Sequence, residues 1–237
     1  MRLNLASTWL ALIVWSVAIP LQAEDGSKPP ARKSGLAWFT NYNADSFRKL
    51  PAANRALDLS NLHYELLDAA VFHETNRRRQ RQALPPLSHQ EKARQMARLQ
   101  SQSMAEGQFV GHENPSPAKK TLPDRARVVS LRFSFLAENV ASAFGRRYQS
   151  GQKFYVREES GRKVYSLTPN GPIIPMHTYL SFAEALLDEW MASPGHRQNI
   201  LHKSSRFLGC ACESGEDDAA MAKFYCTQVF YAPPPSQ

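Results

Sequence analysis

At 237 residues with 43% hydrophobic and 10% aromatic side chains, the chain holds enough apolar material for one core with tails and too little for two full domains. Its 29 Lys and Arg against 21 Asp and Glu give a formal charge of +8, which suits an anionic surface, a lipid headgroup or an acidic extracellular glycan. Nucleic acid is not the expected partner, although charge alone does not exclude it.

The start reads Met1-Arg2-Leu3-Asn4, then an apolar run from Leu5 to Ile19, then Pro20-Leu21-Gln22-Ala23 ahead of acidic Glu24-Asp25. A positive start, a short apolar stretch and a small residue at the junction predict a secretory signal over 1–23, cleaved after Ala23. The alternative is an uncleaved anchor. With cleavage no stable membrane span remains, and the mature protein is expected to be secreted or periplasmic. Residues 24–60 carry a Lys28-Pro29-Pro30 linker and then Gly35-Leu36-Ala37-Trp38-Phe39-Thr40, read as a tether and an arm packed on the domain.

Leu62, Leu66, Ala69, Ala70 and His73 recur at helical spacing, so a first helix should run through Asn76 and end before Leu84-Pro85-Pro86-Leu87. Its last turns hold Arg77-Arg78-Arg79-Gln80-Arg81, read as a solvated face suited to the helix dipole, with an anion-binding patch as the alternative. A second helix is expected after Ser88 as N-cap, with Ala93, Met96, Ala97 and Met104 on one face and Gly107 as its stop. A third should start at Ser181, with Glu184 in the capping-box position and Phe182, Leu186 and Trp190 facing inward; Ser193-Pro194 then ends it and caps a short following turn. Hairpins are predicted at 153–157 with 163–167, inside an inserted segment 145–178, and at 207–213 with 223–231. The insertion lies between the Glu138 and Trp190 segments, and its His177 is expected at the surface more than in a site. Pro233-Pro234-Pro235 opens a tail over 233–237.

Cys210 and Cys212 lie two apart in one predicted strand and so share a face, while Cys226 lies in the returning strand. Only one of them can bond Cys226. Either register is open; Cys212–Cys226 closes the shorter ring and is preferred, with Cys210–Cys226 as the alternative. Metal ligation by the three is disfavoured because Cys210-Ala211-Cys212 lacks the two-residue gap of a zinc knuckle.

Four ordered segments carry an identification: Phe109-Val110-Gly111-His112, Ala137-Glu138-Asn139-Val140-Ala141, Glu189 through Leu201 containing Ser193-Pro194-Gly195-His196-Arg197, and Phe207-Leu208-Gly209 leading to Cys226-Thr227-Gln228. With Asn76, Leu84-Pro85-Pro86-Leu87 and Asp124-Arg125, the set resembles the bacterial branch of the CAP superfamily (cysteine-rich secretory, antigen 5, pathogenesis-related 1; the SCP domain). The resemblance implies an α+β fold, a three-layer α-β-α sandwich with a central, mostly antiparallel sheet, here over 61–232. It also implies a cleft of two histidines and two glutamates, which carry over as His112, Glu138 and His196. The second glutamate falls on Ser193.

Two imidazoles and a carboxylate can hold zinc or another divalent ion, with His112 and His196 as ligands, or can act as general acid and base. The same groups can instead brace loops through buried hydrogen bonds. No Gly-x-Ser-x-Gly or cysteine nucleophile motif is present, and Ser193 reads better as a cap than as a nucleophile. The sequence therefore points first to a non-catalytic extracytoplasmic binding module for a lipid-like or amphipathic ligand or a surface partner. Its cleft would comprise His112, Glu138, Asn139, Ser193 and His196. The alternative is a metal-assisted, protease-like hydrolase using His112, Glu138 and His196.

Overall fold

The computed structural model describes residues 35–215 and 221–235. The predicted leader, its cleavage site and the Lys28-Pro29-Pro30 linker lie outside the described residues. In chain order the elements are α1 (Ala37–Thr40), α2 (Ala44–Arg48), α3 (Tyr64–Gln80), β1 (Ser88–His89), α4 (Glu91–Gly107), α5 (Leu122–Val128), β2 (Phe135–Phe144), β3 (Tyr155–Glu159), β4 (Arg162–Ser166), α6 (Tyr179–Ala192), α7 (Pro194–Ile200), β5 (Phe207–Ser214) and β6 (Lys223–Ala232). Among them no helix is long and apolar enough to cross a membrane.

Four strands form one sheet in the order β1-β5-β6-β2; β1 runs parallel to β5 and the other pairs are antiparallel. Because successive strand residues point to opposite faces, the sheet feeds two cores. Cys210, Cys212, Phe224 and Phe230 pack with Leu66, Ala69, Phe182 and Trp190 of α3 and α6, whereas Ala211, Val229 and Tyr231 pack with Ala93, Met96 and Ala126 of α4 and α5. The fold is thus the α-β-α sandwich that the motifs imply.

α3 is buried on nearly every side, so Asp68 needs a charged partner inside the protein: Arg94 grips it through Nη2 at 2.8 Å, and it accepts the Cys212 N–H at 2.9 Å, tying α3, α4 and β5 together. Asn76 exchanges two hydrogen bonds with the backbone of Leu87, at 2.8 and 3.0 Å, which fixes the Leu84-Pro85-Pro86-Leu87 stretch beneath α3. The arm adds Phe39 and Phe47 to the core, where their rings stack on His89 and His73. His73 donates from Nε2 to the Trp38 carbonyl at 2.8 Å, and burial holds its pKa down at about 4.

Several boundaries differ from the sequence expectations. Ser88 pairs with Phe207 as a strand residue instead of capping α4; Gln90 is the N-cap, its side chain accepting from Lys92 N–H. Gly107 is the last residue of α4, and Gln108 takes the left-handed conformation at the C-cap. α6 starts earlier than Ser181: Thr178 is its cap and Ser181 completes the capping box, while Glu184 pairs with Arg48 at 2.6 Å. Local spacing could not separate these candidates, since Thr178 and Ser181 both supply a hydroxyl at the start of an apolar stripe.

The arginine run is solvated only at its end, where Gln80 and Arg81 are exposed. Arg79 is fully buried, donating to Pro85, Ile200 and His202 carbonyls, while Arg77 and Arg78 bond Glu74 at 2.6 and 2.8 Å. The inserted hairpin pairs Tyr155–Glu159 with Arg162–Ser166 and packs through Tyr165 and Ile174 on Phe144, Tyr148 and Met221, at the end of β2 distant from Phe135. Within it His177 is half-buried, not fully exposed. Its Nδ1 meets Ser181 Oγ at 3.0 Å at the start of α6, and burial lowers its pKa to about 4.

Candidate functional site

β2 is one edge strand of the sheet, and Glu138 and Asn139 are neighbours on it whose side chains enter opposite layers. On the α4–α5 side, Glu138 is buried and receives Arg125 Nη2 of α5 at 2.6 Å. Arg125 is completely buried too and donates to the carbonyls of His112, Lys119 and Lys120. One guanidinium therefore neutralises the carboxylate and sets the path of the 112–120 loop.

That loop brings His112 over the other carboxylate oxygen, with Nδ1 2.9 Å from Oε1. A carboxylate only accepts, so Nδ1 carries the proton and Nε2 is left facing outward from a side chain 60% exposed. The hydrogen bond to Glu138 raises the His112 pKa, outweighing partial burial.

On the α3–α7 side, Asn139 donates to the His196 carbonyl at 3.1 Å and to Gln228 Oε1 at 3.1 Å, and it accepts from Asn199 at 2.9 Å. Gln228 in turn donates to Thr75 Oγ1 at 2.6 Å, and Asn199 also donates to the Glu138 carbonyl at 3.1 Å. This network seats α7 against the sheet edge and so positions His196, whose ring lies edge-on to Trp190 at 6.4 Å. Partial burial lowers the His196 pKa, and the charge of His112 lowers it further. The two imidazoles thus share one neighbourhood but titrate in opposite directions, a separation set by their surroundings.

Ser193 is the junction of α6 and α7. Its N–H donates to the Glu189 carbonyl at 3.2 Å and its carbonyl accepts from Arg197 N–H at 2.9 Å, but its hydroxyl makes no capping hydrogen bond. The cap expected of the side chain is made by the backbone and by Pro194 at the first helical position. Glu189, one turn earlier on α6, has its carboxyl pKa raised by burial.

Among the described residues no three His, Cys, Asp or Glu side chains gather to hold a metal ion. Arg125 occupies the Glu138 oxygen that a cation would otherwise claim, so the residues present fit a bound metal poorly. Arg125, Asn199 and Gln228 stand inside the motif segments, yet nothing in their local spacing reveals their roles; buried polar side chains acquire them through contacts distant in sequence.

Beside His112, Gly107, Phe109, Asn114, Pro115 and Pro117 line an open, mostly apolar cavity of about 710 Å³, with Glu113 and Lys120 on it as well. In the sheet, Cys212 and Cys226 face each other and form the disulfide, while Cys210 is a buried free thiol with its pKa pushed well up by burial.

The family model for CAP, described as the cysteine-rich secretory protein family, matches residues 72–230. No curated protein matches the chain. Among solved structures, an extracellular SCP-domain protein of Bacillus anthracis is 24% identical with a TM-score of 0.47, over 71% of this chain and 41% of that one. This chain thus spans about two fifths of that protein's length. An outer surface protein of Borrelia burgdorferi is 13% identical with a TM-score of 0.48, over 76% of this chain and 98% of that one. The CAP domain of enterococcal PrgA is 15% identical with a TM-score of 0.46, over 78% and 71%. With the family match running from α3 to β6, the chain belongs to the CAP family.

Proposed function

We propose that this CAP domain acts outside the cytoplasm as a non-catalytic binding module, taking an apolar or amphipathic ligand in the cavity beside His112. The observation that carries the reading is the commitment of both Glu138 oxygens, one to buried Arg125 and one to His112. A carboxylate held this way, with one donor on each oxygen, fixes the loop that walls the cavity. Phe109 and the prolines supply apolar wall, and a volume of about 710 Å³ suits a drug-sized or acyl-chain ligand. The extracytoplasmic setting rests on the predicted leader and the disulfide, which persists in oxidising compartments.

The hydrolase reading has one observation in its favour: the hydrogen bond to Glu138 raises the His112 pKa while partial burial lowers that of His196, the kind of separation an acid and base pair needs. Fluorescence titration with a labelled monoacylglycerol separates the two. The binding reading expects a saturable signal that Phe109→Ala weakens by about tenfold while urea unfolding confirms that the variant is folded. Absence of saturable binding, or turnover of ester or peptide substrates abolished by His112→Ala, would replace it with the hydrolase.

A further inference from the structure

A second cavity, of about 670 Å³, opens where the Leu84–Ser88 stretch meets the α7–β5 loop, on Pro233 at the end of β6. It involves neither His112 nor Glu138. Leu84, Pro85, Pro86 and Phe207 form an apolar wall, stiffened because prolines are fixed in φ and Phe207 stacks on Tyr231 at 5.0 Å.

Its polar groups all favour negative charge. Lys203 and Arg206 line it, and no carboxylate of the described residues pairs with either. Arg206 spends Nη1 on the carbonyls of Lys203 and Ser205, at 2.7 and 3.2 Å, which orients the rest of its guanidinium. Ser205 is 1% exposed and lines the cavity, yet its hydroxyl has no hydrogen-bond partner among the described residues. Behind the wall, Arg79 is fully buried, its Nη2 likewise unpartnered, and the charge that acts on it is the like charge of Arg206. Its other nitrogens meet only carbonyls, among them that of Pro85 in the wall itself. The buried Ser205 hydroxyl is costly left without a partner, while Lys203 and Arg206 stand exposed on the cavity with no acid beside them, so an anion there could pair with both cations at their open side.

We infer that the Leu84–Ser88/Lys203–Phe207 cavity is a binding site for a small amphiphilic organic anion, a carboxylate or phosphate whose head meets Ser205, Lys203 and Arg206 and whose body lies on Phe207 and the prolines. The site is separate from the one beside His112 and stands whether or not that one binds ligand.

The test is an NMR titration of the full-length mature chain with phenylacetate, phenyl phosphate and uncharged phenylacetamide at low salt. Phenylacetate or phenyl phosphate should shift the amides of Leu84, Ser88 and 203–207 saturably, and whichever binds tighter identifies the head group. Phenylacetamide should bind about tenfold more weakly, and Ser205→Ala should weaken the anion about fivefold. Lys203→Gln, whose side chain makes no intramolecular bond among the described residues, should lose about threefold without affecting the fold, and raised salt should do the same. Equal affinity for acid and amide, unchanged binding in both variants, or shifts confined to 107–120 would overturn the inference.

Discussion

Replacing Arg125 by methionine keeps the volume of a completely buried side chain while removing the partner of a buried carboxylate. Glu138 then keeps only His112, and the carbonyls of His112, Lys119 and Lys120 lose their shared donor. Breaking one side of a buried ion pair costs about 3–5 kcal/mol, which for a chain of this size lowers Tm by about 6–20 °C. Removing both charges, in Arg125→Met with Glu138→Met, should recover at least about 2 kcal/mol, because the stranded charge carries most of the penalty. His112 adds a pH signature: once protonated it can partly neutralise Glu138, so the single variant should lose less at pH about 5.5 than at pH about 8. Urea titrations of wild type, single and double variants at the two pH values measure all of this. A single variant within about 1 kcal/mol of wild type, or a double variant no better than the single, would refute the claim that this pair holds the loop.

His112 should titrate above its unfolded value and His196 below it in an NMR pH series, and the two should be linked. Glu138→Gln should bring His112 back toward its ordinary range, and His112→Ala should raise His196; failure of either shift removes the coupling. Because the folded His112 pKa is raised, its pairing stabilises fully below about pH 6.5 and fades as pH rises through the folded value, a slope that Glu138→Gln should flatten. Reducing Cys212–Cys226 opens a ring of sequence separation 14 and should cost about 3 kcal/mol, read as a fall in the urea midpoint. Cys210 should resist alkylation until the protein is unfolded, and rapid labelling of the native protein would show that it is not buried. Gly209→Ala should lower stability by more than about 3 kcal/mol, since the added Cβ meets the backbone of Ala93 and Arg94 where α4 lies on β5; near-wild-type melting would contradict that close approach.

Elements built on strong local periodicity were legible in the sequence: the helix carrying Met96 and Met104, the helix carrying Phe182 and Trp190, and the strands around Cys210 and Cys226 all stand where the pattern places them. Their ends were not, because a cap is a choice among neighbouring hydroxyls and amides that packing decides. The arginines show the same limit. Arg77, Arg78 and Arg79 look alike in sequence, but Arg79 donates to the carbonyls of Ile200, the last residue of α7, and His202 just beyond it, more than 120 positions away, at 2.7 and 3.1 Å.

The ordered motifs identify the family and name His112, Glu138 and His196 as candidates, since residue identity at fixed intervals is a property of the chain itself. What those groups do is decided by tertiary structure. Glu138 becomes an anchored carboxylate because α5 delivers Arg125 to it, and His112 and His196 diverge in protonation because one meets that carboxylate and the other meets partial burial and a neighbouring charge. Burial and electrostatic pairing depend on distance in space, and the strand that places Glu138 between its two partners exists only once β6 has paired with β2.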